Sequence, residues 1–402
     1  MRNHTKGWSK KKLFGFSIIT LALVLLILEI ISRIIFGIQH KGYHTSVRIQ
    51  GNTLQMNDDL LVFRNRPFYL DYYRRFQFNE EGMKVSPGDV FMPGKKPGDF
   101  WVFVFGGSAI EGAGSNKDGE WLDITGIQDY KPDENICGLL QKKLQEKMPE
   151  RNVRVFNAAN SGFAFWQSMK RYEALSAKYQ MDWVVSMDGE NEPTLLAAGE
   201  SAEDHVRRRW QQSPVFDFPL NVIIPVTSHS AFVNTIKQLL FHQKYSGRLE
   251  RNERLKYPAR EAWSKTPPAK LQFAPENAGI ETALNDFLSS LQHSDSLLTA
   301  RRQRHTFYIQ PHLAFRDTSR MNVTEKALFN YYTAVYNDPL NNTFKREIYS
   351  RRSQLPKNVR LLDNLHHWEH PVFVDYCHFT LQANEFIAQI IAEDILSGAN
   401  FN

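Results

Sequence analysis

Ser108, Asp375 and His378 are the residues in this 402-residue chain whose types and spacing suit nucleophilic chemistry. A serine hydroxyl is a poor nucleophile until a base takes its proton. A histidine can be that base, and a carboxylate can hold its imidazole in the required tautomer. Asp375 and His378 stand three residues apart, so both can share one turn with His378 directed to Ser108. Charge that develops on an attacked carbonyl oxygen needs fixed donors. The backbone amides of Ser108 and Gly162 and the side-chain amide of Asn191 are the candidates. Each residue also has an ordinary structural role. Ser108 can cap a helix, Asn157 and Asn191 can serve turns, Asp375 can cap the last helix, and His378 can be a satisfied core histidine.

The surrounding elements decide between these roles. Phe100 to Phe105 is a continuous apolar run, the pattern of a strand buried on both faces of a parallel sheet. It ends at Gly106-Gly107-Ser108. Val153 to Asn157, Trp183 to Met187, Thr306 to Pro311 and Val359 to Asp363 read as four more strands. Helical periodicity runs over Asn135 to Met148, Gln167 to Tyr179 and Ala383 to Leu396. Strands alternating with helices imply a three-layer α/β/α domain with a parallel sheet. In such sheets ligands bind beyond the carboxyl ends of strands. Ser108 follows the first strand, Gly162 closely follows the second, Asn191 follows the third, and Asp375 and His378 follow the fifth.

Four segments resemble the conserved blocks of the SGNH/GDSL hydrolase family. Gly107-Ser108-Ala109-Ile110-Glu111-Gly112 is similar to the GDSxxxG serine block. Asn157-Ala158-Ala159-Asn160-Ser161-Gly162 resembles the block that supplies an oxyanion-hole glycine. Gly189-Glu190-Asn191-Glu192 looks like the GxND block, and Asp375-Tyr376-Cys377-His378 matches DxxH. Each string alone is common, but all four occur in order over roughly residues 100 to 398. Gly107 and Glu192 each stand where the family has Asp, departures that bear on loop geometry and substrate shape rather than on the reacting groups. The resemblance implies an SGNH hydrolase-like fold and a cofactor-free serine esterase, with Ser108 as nucleophile, His378 as base and Asp375 as its orienter. It implies Ser108, Gly162 and Asn191 as the oxyanion hole. It also implies an acyl-ester substrate, an acetylated cell-surface glycan foremost. An O-acyltransferase, a lipid esterase and a catalytically dead glycan-binding or assembly protein stay open beside it. Phe78-Asn79-Glu80-Glu81-Gly82 and the N-terminal segment further resemble membrane-attached bacterial members.

That N-terminal segment is apolar and uncharged from Leu13 to Leu28. Glu29 and Arg33 follow, four apart and able to pair on one helix face. The stretch has the length of a membrane-spanning helix. Lys10, Lys11 and Lys12 before it predict a cytoplasmic N-terminus and an exported remainder. No small-residue cleavage pattern follows the run, as a removed signal peptide would need. The expected organisation is a tail over 1–12, an anchor over 13–37, an extracytoplasmic extension over 38–98, and a catalytic domain over 99–398. An insertion occupies about 195–300, with helical pieces near Phe232 to Phe241 and Ile280 to Leu291.

The remaining features are read as bland. The net charge is +6, but the first twelve residues carry five basic groups and no acid, leaving +1 for the rest. Arg207-Arg208-Arg209 and Arg301-Arg302-Gln303-Arg304 read as solvated helix faces, so no nucleic acid is expected. His366-His367-Trp368-Glu369-His370 fits the string H-x-x-E-H of some zinc peptidases. Pro371 follows directly and no helix is predicted there, so a loop at the rim of the site is expected and no metal. Cys137 and Cys377 can pair as a disulfide in an exported domain, but buried free thiols are the expected state.

Overall fold

The computed structural model describes residues 10–39, 55–58, 60–65, 67, 76–114, 128–193, 262–274 and 278–398. The chain divides into two units, one holding the N-terminal helix and the other the sheet. Helix α1 (Lys10–Gln39) is 30 residues long, or about 45 Å at the α-helical rise. Its segment Phe14–Ile31 has a mean hydropathy of 2.6, and none of it is buried against the protein. It is long and apolar enough to cross a membrane. The side chain of Arg33 lies outside the described residues, as do Arg207 to Arg209 and Phe232 to Phe241.

In the second unit, β1 (Gln55–Asp58) and β2 (Val62–Asn65) form an antiparallel pair. Among the described residues the main sheet has seven strands. In chain order these are β3 (Gln77–Phe78), β4 (Lys84–Val85), β5 (Asp99–Gly106), β8 (Asn152–Asn157), β9 (Trp183–Asp188), β10 (His305–Ile309) and β11 (Val359–Leu361). Between β5 and β8 lie the short β6 (Ala113–Gly114) and β7 (Gln128–Asp129), which pair with each other. Across the sheet the order is β11-β10-β9-β5-β8-β4-β3. The five longer-range strands from β11 to β8 run parallel, and the β3–β4 hairpin is added antiparallel at the β8 edge. The five parallel strands are the five expected from the apolar runs. Taken in their own chain order they are arranged 2-1-3-4-5, with the order reversing beside β5. A doubly wound sheet opens its ligand crevice at that place.

The central strand shows why the sheet is covered on both sides. Val102 and Val104 point to one face, where they meet Ile136, Leu140 and Leu144 of α3 (Ile136–Lys147) and Ile387, Ile391 and Ile395 of α8 (Leu381–Gly398). Trp101, Phe103 and Phe105 point to the other face. They share it with Phe165, Tyr172 and Leu175 of α4 (Phe165–Ser176), with Leu284, Phe287 and Leu291 of α5 (Ala278–Ala300), and with Phe344 and Ile348 of α7 (Pro339–Ser350). Branched aliphatics and aromatics alternate, so one face is thin and the other bulky. Every side chain from Phe100 to Phe105 is at most 2% exposed. Burial of each such residue is worth roughly 1.5–3 kcal/mol before the entropy of ordering is charged against it. Among the described residues, two further α-helices are α2 (Ser108–Glu111) and α6 (Val323–Tyr331). The fold is a three-layer α/β/α sandwich around a mostly parallel sheet.

Candidate active site

Ser108 opens α2 directly beyond the end of β5. Gly107, not Ser108, is the cap residue of that turn, and no side chain caps it. The serine hydroxyl is thus not spent on its own helix. Its Oγ lies 2.7 Å from His378 Nε2. On the other side of the ring, His378 Nδ1 lies 2.6 Å from Asp375 Oδ2. An ionised carboxylate only accepts, so Nδ1 carries the proton and Nε2 accepts from the serine O–H. Asp375 Oδ1 accepts the backbone N–H groups of Cys377 at 2.8 Å and His378 at 2.7 Å. That local turn fixes the carboxylate beneath the imidazole. The last helix has a different cap: Thr380 Oγ1 accepts from the Ala383 N–H at 3.1 Å. Burial pushes the Asp375 carboxyl up, but the facing His378 and three hydrogen bonds outweigh it, and the net shift is downward.

The loops after β8 and β9 come to the same place. The Asn160 N–H donates to Gly106 O at 3.0 Å, which docks the β8 loop on the end of β5. The Ser161 N–H donates to the buried Glu111 of α2. Gly162 follows with φ +86°, in the left-handed region that a glycine enters without strain. Asn191 Nδ2 donates to Phe163 O at 2.8 Å, joining the β8 and β9 loops. Gly107 lies against the same amide: a Cβ built there would stand 3.0 Å from Asn191 Nδ2 and 3.4 Å from Phe163 O. The absence of a side chain at 107 is what lets the Asn191 amide approach the serine turn. Asn157 ends β8 and donates from Nδ2 to Ile110 O at 2.9 Å, holding α2 in place.

The His366 to His370 segment begins as a 3-10 turn, Asp363–His367, and continues as a loop rather than an α-helix. Its side chains have other engagements. His366 Nε2 faces the Tyr349 hydroxyl at 3.5 Å, and Glu369 pairs with Arg320 at 2.6 Å. The buried Arg316 donates to the carbonyls of Leu365, His366, Trp368 and His370, pinning the loop. Among the described residues, the one trio of His, Cys, Asp or Glu with ligand atoms within 4.8 Å of each other is Asp375, Cys377 and His378. Two of these are already hydrogen-bonded as above. Cys137 and Cys377 are both buried free thiols, and burial pushes both pKa values up.

One part of the neighbourhood escaped the sequence reading. Beside the site lie the buried carboxyls of Asp188 and Glu192, the nearly buried side chain of Glu190, and Lys345 and His312. Glu190 Oε2 stands 3.2 Å from Lys345 Nζ, and Asn341 Nδ2 donates to Oε1 at 2.8 Å. Burial nonetheless pushes the Glu190 carboxyl up to about 7. His312 Nδ1 accepts from the Ala314 N–H at 3.0 Å, so its proton sits on Nε2, 3.8 Å from Glu190 Oε1. Burial, and then the Lys345 ammonium, hold His312 well below the usual imidazole value. Asp188 accepts from the hydroxyls of Ser168 and Ser186. Burial and the neighbouring Glu192 push Asp188 up, and burial does the same to Glu192. The signal was available in α7, where Lys345 lies between Phe344 and Ile348 on the inward side.

No family model matches the chain, and no curated protein matches it. Solved structures do match, at low identity. LAE5, an alpha/beta hydrolase enzyme from the metagenome of Lake Arreo, Spain, is 15% identical, with 74% of this chain and 96% of that chain covered and a TM-score of 0.29. A variant of Axe2, an acetyl xylan esterase from Geobacillus stearothermophilus, is 12% identical, covering 74% and 94%, with a TM-score of 0.29. The lipase/acylhydrolase from Enterococcus faecalis is 13% identical, covering 74% and 96%, with a TM-score of 0.28. At such identities and scores the activities of these proteins do not transfer to this chain, whose chemistry is set by the residues just described.

Proposed function

We propose that the chain is a serine ester hydrolase held at a membrane by α1, with its active site outside the cytoplasm. The observation that carries the reading is the unbroken path from Ser108 Oγ through the His378 ring to Asp375, 2.7 and 2.6 Å long, at the carboxyl end of the central strand. Ser108 Oγ attacks the acyl carbonyl while His378 Nε2 takes its proton. Asp375 holds the ring by Nδ1 and stabilises the imidazolium that forms. The Ser108 and Gly162 N–H groups and the Asn191 amide receive the developing oxyanion. His378 then gives its proton to the leaving alcohol, and water, activated by the same ring, releases the acid. No cofactor takes part. The substrate class is an acyl ester, with an acetylated cell-surface glycan as the first choice, a choice supported by the anchor and the four-block resemblance.

The test is covalent labelling of the full-length chain in detergent with a fluorescent fluorophosphonate. Wild type is expected to label, and Ser108→Ala and His378→Ala to lose labelling and turnover of p-nitrophenyl acetate together. A labelled Ser108→Ala chain refutes the nucleophile. For location, a C-terminal reporter that works only outside the cytoplasm is expected to be active. Activity of a cytoplasmic reporter in its place overturns the topology.

A further inference from the structure

Lys345 is fully buried. Its ammonium donates to Gln310 O at 2.6 Å and stands 3.2 Å from Glu190 Oε2. Gln310 lies just beyond β10, and its side-chain amide donates to Cys377 O at 2.8 Å. Cys377 is one of the two residues between the ends of the Asp375–His378 turn, and its own N–H binds Asp375. Glu190 directly precedes Asn191, so its link to Lys345 reaches the loop that carries that amide. A single buried ion pair therefore reaches both halves of the site: the loop that carries Asn191 and the turn that carries the acid and the base. Apolar residues of similar size are often no less stabilising than a buried ion pair, so packing alone gives no reason for these charges.

We propose that Lys345 and Glu190 are positioning residues whose ion pair, relayed through Gln310, sets the distance between the Asn191 amide and the His378 ring across Ser108. The proposal rests on the triad reading above. Neither residue touches the acyl group. They act by holding two loops at a fixed separation, and misplacement of about 1 Å at a reacting centre can cost on the order of a hundredfold in rate.

The test compares Lys345→Met, Glu190→Gln, the double variant and Gln310→Met in the full-length chain in detergent. Each ion-pair single variant is expected to lose melting temperature, because it leaves one group buried without its partner. The double variant leaves neither member of the pair without its partner and is expected to recover part of that loss, the rest reflecting Asp188 and Glu192 without the Lys345 ammonium. Its kcat on p-nitrophenyl acetate is nevertheless expected to fall about ten- to a hundredfold, with KM within about twofold of wild type. Fluorophosphonate labelling of Ser108 is expected to slow by a similar factor. A folded double variant with wild-type kcat overturns the proposal, because the pair would then serve folding alone. Gln310→Met removes only the link to Cys377 and is expected to show the same split between kcat and KM. If the double variant does not fold, wild-type kcat in Gln310→Met overturns the proposal by itself. A wild-type chain that does not label at Ser108 overturns the triad reading instead, and this proposal with it.

Discussion

Gly107→Ala isolates the approach of the Asn191 amide to the serine. Gly107 has φ −86°, a conformation any residue adopts, so alanine brings no backbone strain. What it brings is a methyl 3.0 Å from Asn191 Nδ2. Ordinary contact begins near 3.4 Å, so the amide must retreat by about 0.4 Å, a fraction of the 1 Å that costs on the order of a hundredfold. The expected loss is about tenfold in kcat, or about 1.4 kcal/mol of transition-state stabilisation. KM should stay near wild type, because the donor acts on charge that exists only in the transition state. Overpacking by one methyl should cost about 1 kcal/mol of stability. Asn191→Ala should cost more, on the order of a hundred- to a thousandfold in kcat. The decisive comparison is the double variant. With the amide gone, the added methyl meets nothing closer than Phe163 O at 3.4 Å. Gly107→Ala should then add no further loss to Asn191→Ala. Steady-state kinetics on p-nitrophenyl acetate with a thermal melt for each variant measures all of this. Wild-type kcat in Gly107→Ala, or losses that simply multiply in the double variant, refute the placement of Asn191 as an oxyanion donor.

Three further outcomes are expected. Asp375→Asn should lower kcat by about ten-thousandfold while the chain stays folded, since the amide cannot hold the imidazole in the required tautomer; a loss under tenfold contradicts the role. Arg316→Met should destabilise by about 3–5 kcal/mol, because Glu325, 3.5 Å from the guanidinium, stays buried without its cation and the loop carbonyls lose their donor; a shift under 1 kcal/mol in denaturant melts contradicts it. Asp188 has a raised pKa in the folded chain, so its contribution is full below the ordinary carboxylate range and is lost as pH rises toward neutrality. Buried His366, lowered to about 4, works in the opposite sense, losing stability as pH falls below about 6.5. The informative quantity is therefore the melting temperature of Asp188→Asn relative to wild type, which should climb between pH 5 and pH 8, and a flat difference refutes the assignment.

The central sheet was legible because its signal is local. Phe100 to Phe105 announces a strand buried on both faces whatever lies around it, and the same holds for Trp183 to Met187. Ser108, Asn191, Asp375 and His378 could be placed once those strands were ordered, because each follows an element end. The β3–β4 hairpin was not legible as part of the sheet, since two-residue strands carry no periodicity and are specified by the β8 edge they join. Arg316, Lys345 and Glu190 were missed for a related reason. A charged side chain reads as solvated unless its buried partner is known, and those partners lie 9 to 155 positions away in the sequence.

Ser108 and His378 are 270 positions apart, and they meet only across the finished sheet. A chain made from its amino end places the hydroxyl early and the imidazole late. On the triad reading, the serine has no base until the segment beyond β11 has been made and has docked. The rate at which reactivity appears is thus tied to a contact between residues 270 positions apart, and contacts of such separation are slow to form. The onset of labelling during refolding should report docking of the carboxyl-terminal segment, not collapse of the strands that carry the serine.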